Sequence, residues 1–194
     1  VVELSIGLMV MLTRDIFEKS TKMHAGIWDK SATNSYEIRG KKIGLVGYGN
    51  IGTQISVIAE ALGLEVYFYD IVDKLALGNA KKCKSLKELF GLADFISLHV
   101  DGRKSNTNII GTQEFSWMKD HVIFLNLSRG HVVDIPALVH AIKSGKVNLR
   151  DNRIKRIKLA SLAYFIAEDE ISFYGLHWDL QEYRKSRESG FTDY

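Results

Sequence analysis

Between residues 42 and 70, apolar runs, a G-x-G-x-x-G turn and a terminal acid follow one another in an order that few folds accommodate. Residues 42–46 form a short apolar run bounded by glycine and read as a buried parallel strand. Gly47-Tyr48-Gly49-Asn50-Ile51-Gly52 follows at once, and residues 50–62 are patterned as a helix. Residues 65–69 read as a second strand, rich in β-branched and aromatic side chains, and Asp70 ends it, 18 residues after Gly52. A bare G-x-G-x-x-G carries little information. Strand, glycine turn, helix, strand and acid together are the context of a dinucleotide-binding unit. Gly47 is expected to allow the tight turn, Gly49 to let backbone approach a pyrophosphate, and Gly52 to let helix and strand pack closely. The Asn50 and Ile51 amides open the helix, where unpaired donors and the positive dipole end favour an anion. Asp70 is placed to accept from the ribose hydroxyls. A carboxylate there disfavours a 2′-phosphate, so the cofactor expected is NAD rather than NADP.

The surrounding chain repeats the pattern. Residues 1–23 read as one long amphipathic helix with Leu4, Leu8, Met11, Leu12 and Phe17 on one face. A turn-rich patch covers 29–40. Further helices are expected at 85–90, 112–118 and 135–144, and further strands at 95–98 and 122–127. Strands alternating with helices imply crossover units. The fold class expected is α/β, a Rossmann-type doubly wound parallel sheet with helices on both faces, preceded by the long N-terminal helix. The pattern changes near residue 147. The first 147 residues hold 14 of the 16 glycines; the last 47 open on the basic cluster Arg150, Arg153, Lys155, Arg156 and Lys158 and continue into the apolar run 159–167. A fifth parallel strand is due there and none is legible. The edge it leaves is expected to stand open, with the apolar run as its cover or as an aggregation hazard.

In open α/β sheets ligands sit at the carboxyl ends of the strands, so the residues ending the later strands are the next candidates. Leu127, Ser128 and Arg129 follow the strand at 122–127, and an arginine there offers a fixed charge and a fork suited to a carboxylate or carbonyl oxygen. His99 and Val100 end the strand at 95–98; a histidine at that place either faces the ligand or is a satisfied core residue. The histidines show no metal-ligand spacing. Cys83, the one cysteine, lies among Lys81, Lys82 and Lys84, an electropositive setting that lowers a thiol pKa, and is read as a non-catalytic thiol. No disulfide can form within the chain, which suits a reducing, cytoplasmic setting. A net charge of +3 over 194 residues gives no case for nucleic acid or anionic lipid. No apolar run approaches the ~20 residues of a membrane helix.

Residues 1–147 resemble the NAD-binding domain of the D-isomer-specific 2-hydroxyacid dehydrogenase family, its phosphoglycerate dehydrogenase branch above all. The resemblance runs through Ile16-Phe17-Glu18-Lys19, His24-Ala25-Gly26-Ile27-Trp28, Glu37-Ile38-Arg39-Gly40-Lys41-Lys42, the glycine turn, Tyr67-Phe68-Tyr69-Asp70-Ile71, Leu98-His99-Val100 and residues 126–138. Residues 70–80 look particular to the phosphoglycerate branch. The resemblance implies hydride transfer between NAD and a D-2-hydroxy acid, most of all 3-phosphoglycerate to 3-phosphohydroxypyruvate at the start of serine synthesis. It implies that Gly47, Gly49, Asn50, Ile51, Gly52 and Asp70 hold NAD, that His99, Val100, Leu127 and Ser128 lie beside it, and that Arg129 is the catalytic arginine orienting the substrate. It also implies a homodimer through the cofactor domain. The family's Thr-Pro-His acid–base motif and its Asp-Val-Phe-Pro strand do not occur in these 194 residues, and its His-Val-Pro is here His99-Val100-Asp101. A tail translated in a shifted frame is one account of the change after 147.

These features define a cofactor domain at 1–147 and a divergent tail at 148–194. The expectation is a chain that binds NAD and, alone, turns over little. A non-catalytic NAD-binding or interaction module, a damaged-gene product, and a sister enzyme for lactate or glycerate are the other readings.

Overall fold

The computed structural model describes residues 1–33, 35–120, 122–143 and 158–161. Two helices, α1 (Val2–Arg14) and α2 (Ile16–His24), precede β1 (Lys42–Val46), α3 (Asn50–Ala61), β2 (Glu65–Tyr69) and a two-residue β3 (Lys81–Lys82). Then come α4 (Leu86–Leu92), β4 (Phe95–Leu98), α5 (Thr112–Trp117), β5 (Ile123–Asn126), α6 (Ile135–Lys143) and β6 (Lys158–Ser161). The six strands form one sheet in the order β3-β2-β1-β4-β5-β6, every pair parallel. This is the doubly wound order, and it reverses direction between β1 and β4.

Side-chain alternation explains the two layers of helices. Ile43 and Leu45 of β1, Val66 and Phe68 of β2, Phe95 of β4, and Ile123 and Leu125 of β5 point to one face, where Leu8 and Met9 of α1 and Ile55 and Ala59 of α3 cover them. Val46, Ile96, Leu98 and Phe124 point to the other, against Leu89 and Phe90 of α4, Phe115 of α5 and Leu138 of α6. Strands buried on both faces need continuous apolar runs, which is how 95–98 and 123–126 read.

Four sequence expectations are corrected. The N-terminal helix is broken: Asp15 adopts a left-handed conformation (φ 49°), its N–H bonding back to the Met11 carbonyl, and the chain restarts as α2. The buried stripe of α1 is Ser5, Leu8, Met9 and Thr13, while Leu4 and Phe17 are exposed and α2 buries nothing. The missed β3 is only two residues long, too short for a period-2 signal. Finally, a strand does follow residue 147. Lys158–Ser161 pairs in parallel with β5, so the edge expected to be open is occupied and the apolar run begins as a strand rather than as a cover. Four residues after a basic cluster carry no legible periodicity. The rest of the tail, and His121, lie outside the described residues. Among the described residues no helix is long and apolar enough to cross a membrane.

Candidate nucleotide-binding site

Every candidate named from the sequence lies at the carboxyl edge of the sheet. The glycine turn follows β1, Asp70 follows β2, His99 and Val100 follow β4, and Leu127, Ser128 and Arg129 follow β5. The reversal of strand order brings the first and third of these together. The His99 N–H donates to the Val46 carbonyl (2.7 Å), and a β-carbon on Gly47 would lie 2.6 Å from the His99 carbonyl oxygen.

The three glycines answer different demands. Gly47 has φ +93°, which side-chain-bearing residues rarely adopt, and it also has no room beside His99. A β-carbon on Gly52 would lie 2.3 Å from the Gly47 carbonyl oxygen, so helix and turn touch only because it is bare. Gly49 differs: its φ is −87°, and a β-carbon there would meet nothing within 4 Å. The fold does not require Gly49 to be bare. Gly49 caps α3 and no side chain satisfies the helix's first amides, which leaves donors facing that same space.

Asp70 is tied to the turn it serves. Its Oδ2 accepts from the Tyr48 N–H and its Oδ1 from the Val72 N–H, both at 2.8 Å. Tyr48 received no role from the sequence, yet it joins three parts of the site. Its ring stacks on Phe68 (centroids 3.8 Å, 15° between planes) and is fully buried. Its hydroxyl meets Ser56 Oγ at 2.8 Å and accepts from the Leu77 N–H at 3.3 Å, so the glycine turn, α3 and the 70–80 loop share one side chain. An aromatic residue between the two glycines is the signal that could have found it.

His99 presents backbone to the edge. Its imidazole folds back along β4, with Nε2 2.8 Å from Ser97 Oγ, and burial pushes its pKa down from 6.5 to about 4. It is therefore a satisfied, neutral histidine. The loop beyond, where the family resemblance has a proline, is held by Asp101. That carboxylate accepts from the Arg103 N–H (3.2 Å), the Arg103 guanidinium and Asn106 Nδ2 (3.0 Å).

At the end of β5, buried Asn126 sets the shape of the turn. Its Oδ1 accepts from the Ser128 N–H (3.1 Å) and hydroxyl (2.9 Å), and its Nδ2 donates to the Arg129 carbonyl (3.0 Å). Leu127 and Ser128 are buried, and Arg129 projects as an exposed side chain, its Nη1 donating to the Ser128 carbonyl at 3.0 Å. Bare Gly102 makes room for it: a β-carbon there would come within 3.3 Å of Arg129 Cγ and 3.6 Å of His131 Cε1.

The expectation of a lowered Cys83 pKa is corrected. The thiol is buried in the core while its lysine neighbours point outward, and burial pushes it up to about 11, with Glu88 adding to the effect. Among the described residues no cluster of His, Cys, Asp and Glu could hold a metal ion.

Residues 6–150 match the family model described as D-isomer specific 2-hydroxyacid dehydrogenase, NAD binding domain. The chain is 48% identical over 147 residues to a D-3-phosphoglycerate dehydrogenase of Haemophilus influenzae, covering 76% of this chain and 36% of that one. It is 49% identical over 144 residues to the D-3-phosphoglycerate dehydrogenase of Escherichia coli K12, covering 74% and 35%. Thus the chain spans about a third of the length of the curated relatives it matches. Among solved structures, a D-lactate dehydrogenase from Aquifex aeolicus complexed with NAD and lactic acid superposes with a TM-score of 0.72 at 26% identity, over 82% of this chain and 46% of that one. Family model, sequence relatives and superposition agree with the sheet order and the glycine turn: the chain belongs to the D-isomer specific 2-hydroxyacid dehydrogenases, and the part of them it carries is the NAD-binding domain.

Proposed function

We propose that the chain is the cofactor half of an oxidoreductase that passes a hydride between NAD and a D-2-hydroxy acid, with 3-phosphoglycerate and 3-phosphohydroxypyruvate as the substrate pair. The observation that carries the cofactor site is Gly49, bare at a place where the fold leaves open space. The Asn50 and Ile51 amides hold the pyrophosphate, Asp70 the adenosine ribose, and the backbone of His99 and Val100 with Leu127 and Ser128 the rest of the groove. NAD, when bound, supplies the hydride chemistry. This chain's residues supply placement and charge. Arg129, set by the Asn126 turn and by the bond from its Nη1 to the Ser128 carbonyl, directs a fixed positive charge and its remaining donors at a carboxylate or carbonyl oxygen. The relatives of about 49% identity, both named for phosphoglycerate, support the substrate assignment.

His99, half-buried and neutral, does not serve as the acid that protonates the carbonyl oxygen. A positioned acid–base contributes roughly 10²–10⁴-fold. The 194-residue chain alone therefore binds NAD and reduces 3-phosphohydroxypyruvate with NADH at least about 10²-fold more slowly than the Escherichia coli relative assayed beside it. Turnover at the relative's rate would contradict this division of labour.

The domain pairs with a second copy of itself. Ile16, Phe17, Met23, Ile27 and Trp28, on and just after α2, are all exposed, and no residue of α2 is buried. Exposed apolar side chains grouped on one short segment are a surface suited to a second copy. A reducing, cytoplasmic setting suits its one cysteine, which is unpaired and buried.

A further inference from the structure

Arg103 lies exposed on the loop that leaves β4, and the proposed function gives it nothing to do. We propose that it is the cation of the pyrophosphate site, exchanging the Asp101 carboxylate for phosphoryl oxygens when NAD binds. This inference rests on the cofactor reading above and deepens it.

Three observations carry it. The first is a charge left unmet. Residues 47–52 contain no cation, and the first amides of α3 offer neutral donors to a group with a negative charge on each phosphoryl. Arg129 is directed at the substrate. The second is position. The loop starts against the turn, where a β-carbon on Gly47 would lie 3.3 Å from the Val100 nitrogen, and it passes Arg129 at Gly102. Arg103 follows at once. Its guanidinium is held still more firmly charged, first by its bonds to Asp101 and then also by the charge of Asp70 at the end of β2. In the strand order β2-β1-β4 the glycine turn lies between these two ends, so the guanidinium reaches back across the turn rather than away from it. The third is its present partner. Arg103 Nε donates to both Asp101 oxygens, at 2.7 and 2.9 Å, and Nη2 donates to Oδ2. A carboxylate and a phosphoryl group present the same pair of oxygens to an arginine fork, so Asp101 holds that fork in the geometry a phosphate needs. The two side chains are 57% and 53% exposed, and an ion pair so open to water contributes little. Arg103 can leave it for the pyrophosphate.

The test is calorimetric titration with NAD of the 194-residue chain, of Arg103→Gln, of Asp101→Asn and of the double variant. Both side chains are exposed and belong to neither core cluster, so the fold stands without them. The expected result is at least about tenfold weaker binding in Arg103→Gln, since hydrogen bonds between charged groups are the strong ones. Asp101→Asn frees the fork yet keeps the oxygen that the Arg103 N–H and Asn106 Nδ2 bond, and is expected to bind at least about threefold tighter. In the double variant that gain vanishes, because it acts through Arg103. An Arg103→Gln affinity within about threefold of the parent overturns the proposal. So does an Asp101→Asn variant that binds no tighter than the parent. A gain from Asp101→Asn as large without Arg103 as with it also overturns it, since removal of a nearby negative charge then explains the whole effect. If the folded parent binds no NAD, the cofactor reading itself falls, and this inference with it.

Discussion

A methyl group on Gly52 would lie 2.3 Å from the Gly47 carbonyl oxygen, a backbone atom with no freedom to retreat. Gly52→Ala is therefore expected to destabilise the domain by about 1–3 kcal/mol, the usual cost of overpacking. Urea denaturation of the variant beside the parent measures this, and an unchanged midpoint contradicts the close packing of α3 on its turn. Tyr48→Phe keeps the stack on Phe68 but leaves the Leu77 N–H without its acceptor. Leu77 is exposed, so its N–H turns to water and the loss is that of one hydrogen bond, about 0.5–1.5 kcal/mol; the variant unfolds at slightly lower urea, and hydrogen exchange at Leu77 quickens. Cys83, with its pKa raised to about 11 by burial, reacts slowly with a thiol reagent at pH 8 in the native chain and fully in denaturant. The same shift sets a sign: an unfolded thiol ionises near pH 9 and the folded one near 11, so stability falls as pH rises between those values.

At the scale of elements, the end of β4 makes a second pH prediction. The folded His99 pKa is about 4 against 6.5 when unfolded, so below pH 6.5 the unfolded state binds the extra proton. Stability is lost as pH falls from 6.5 towards 4, by up to about 3 kcal/mol from this one group. His99→Gln removes that part of the slope; equal slopes in variant and parent would show that the imidazole is not buried in solution. Strands β1, β2 and β4 are legible in the sequence at their true bounds because each is a short apolar or alternating run ended by glycine or a polar residue. What was not legible depended on the chain as a whole. Asp15 interrupts a helix without any breaker residue, since aspartate tolerates the left-handed conformation that closes α1. Two residues at Lys81–Lys82 become a strand only because β2 offers its edge. Likewise the roles of Tyr48, Asn126 and Gly102 arise from partners distant along the chain or across a turn, and no spacing rule announces them.

For the molecule as a whole, two facts set what the domain can do. Its sheet is buried between two helical layers, so the glycine turn, Asp70 and Arg129 stand on rigid strand ends. Its N-terminal arm is the opposite case, with Phe17, Ile27 and Trp28 exposed on a helix and turn that bury nothing of their own. Phe17→Asp/Trp28→Asp is expected to shift the chain from dimer to monomer in sedimentation velocity without lowering NAD affinity. A monomer before the substitution would remove the dimer from the account. The central claim is narrower and rests on Gly49. Gly47 and Gly52 are bare because the fold demands it; Gly49 is bare where the fold has space. Gly49→Val therefore separates fold from function, and the decisive measurement is a calorimetric titration of the variant and the parent with NAD, each with its urea midpoint. The account predicts one saturable NAD site in the parent, at least about tenfold weaker binding in the variant because the pyrophosphate needs close backbone approach there, and an unchanged midpoint. Equal NAD affinity in a fully folded variant would contradict it.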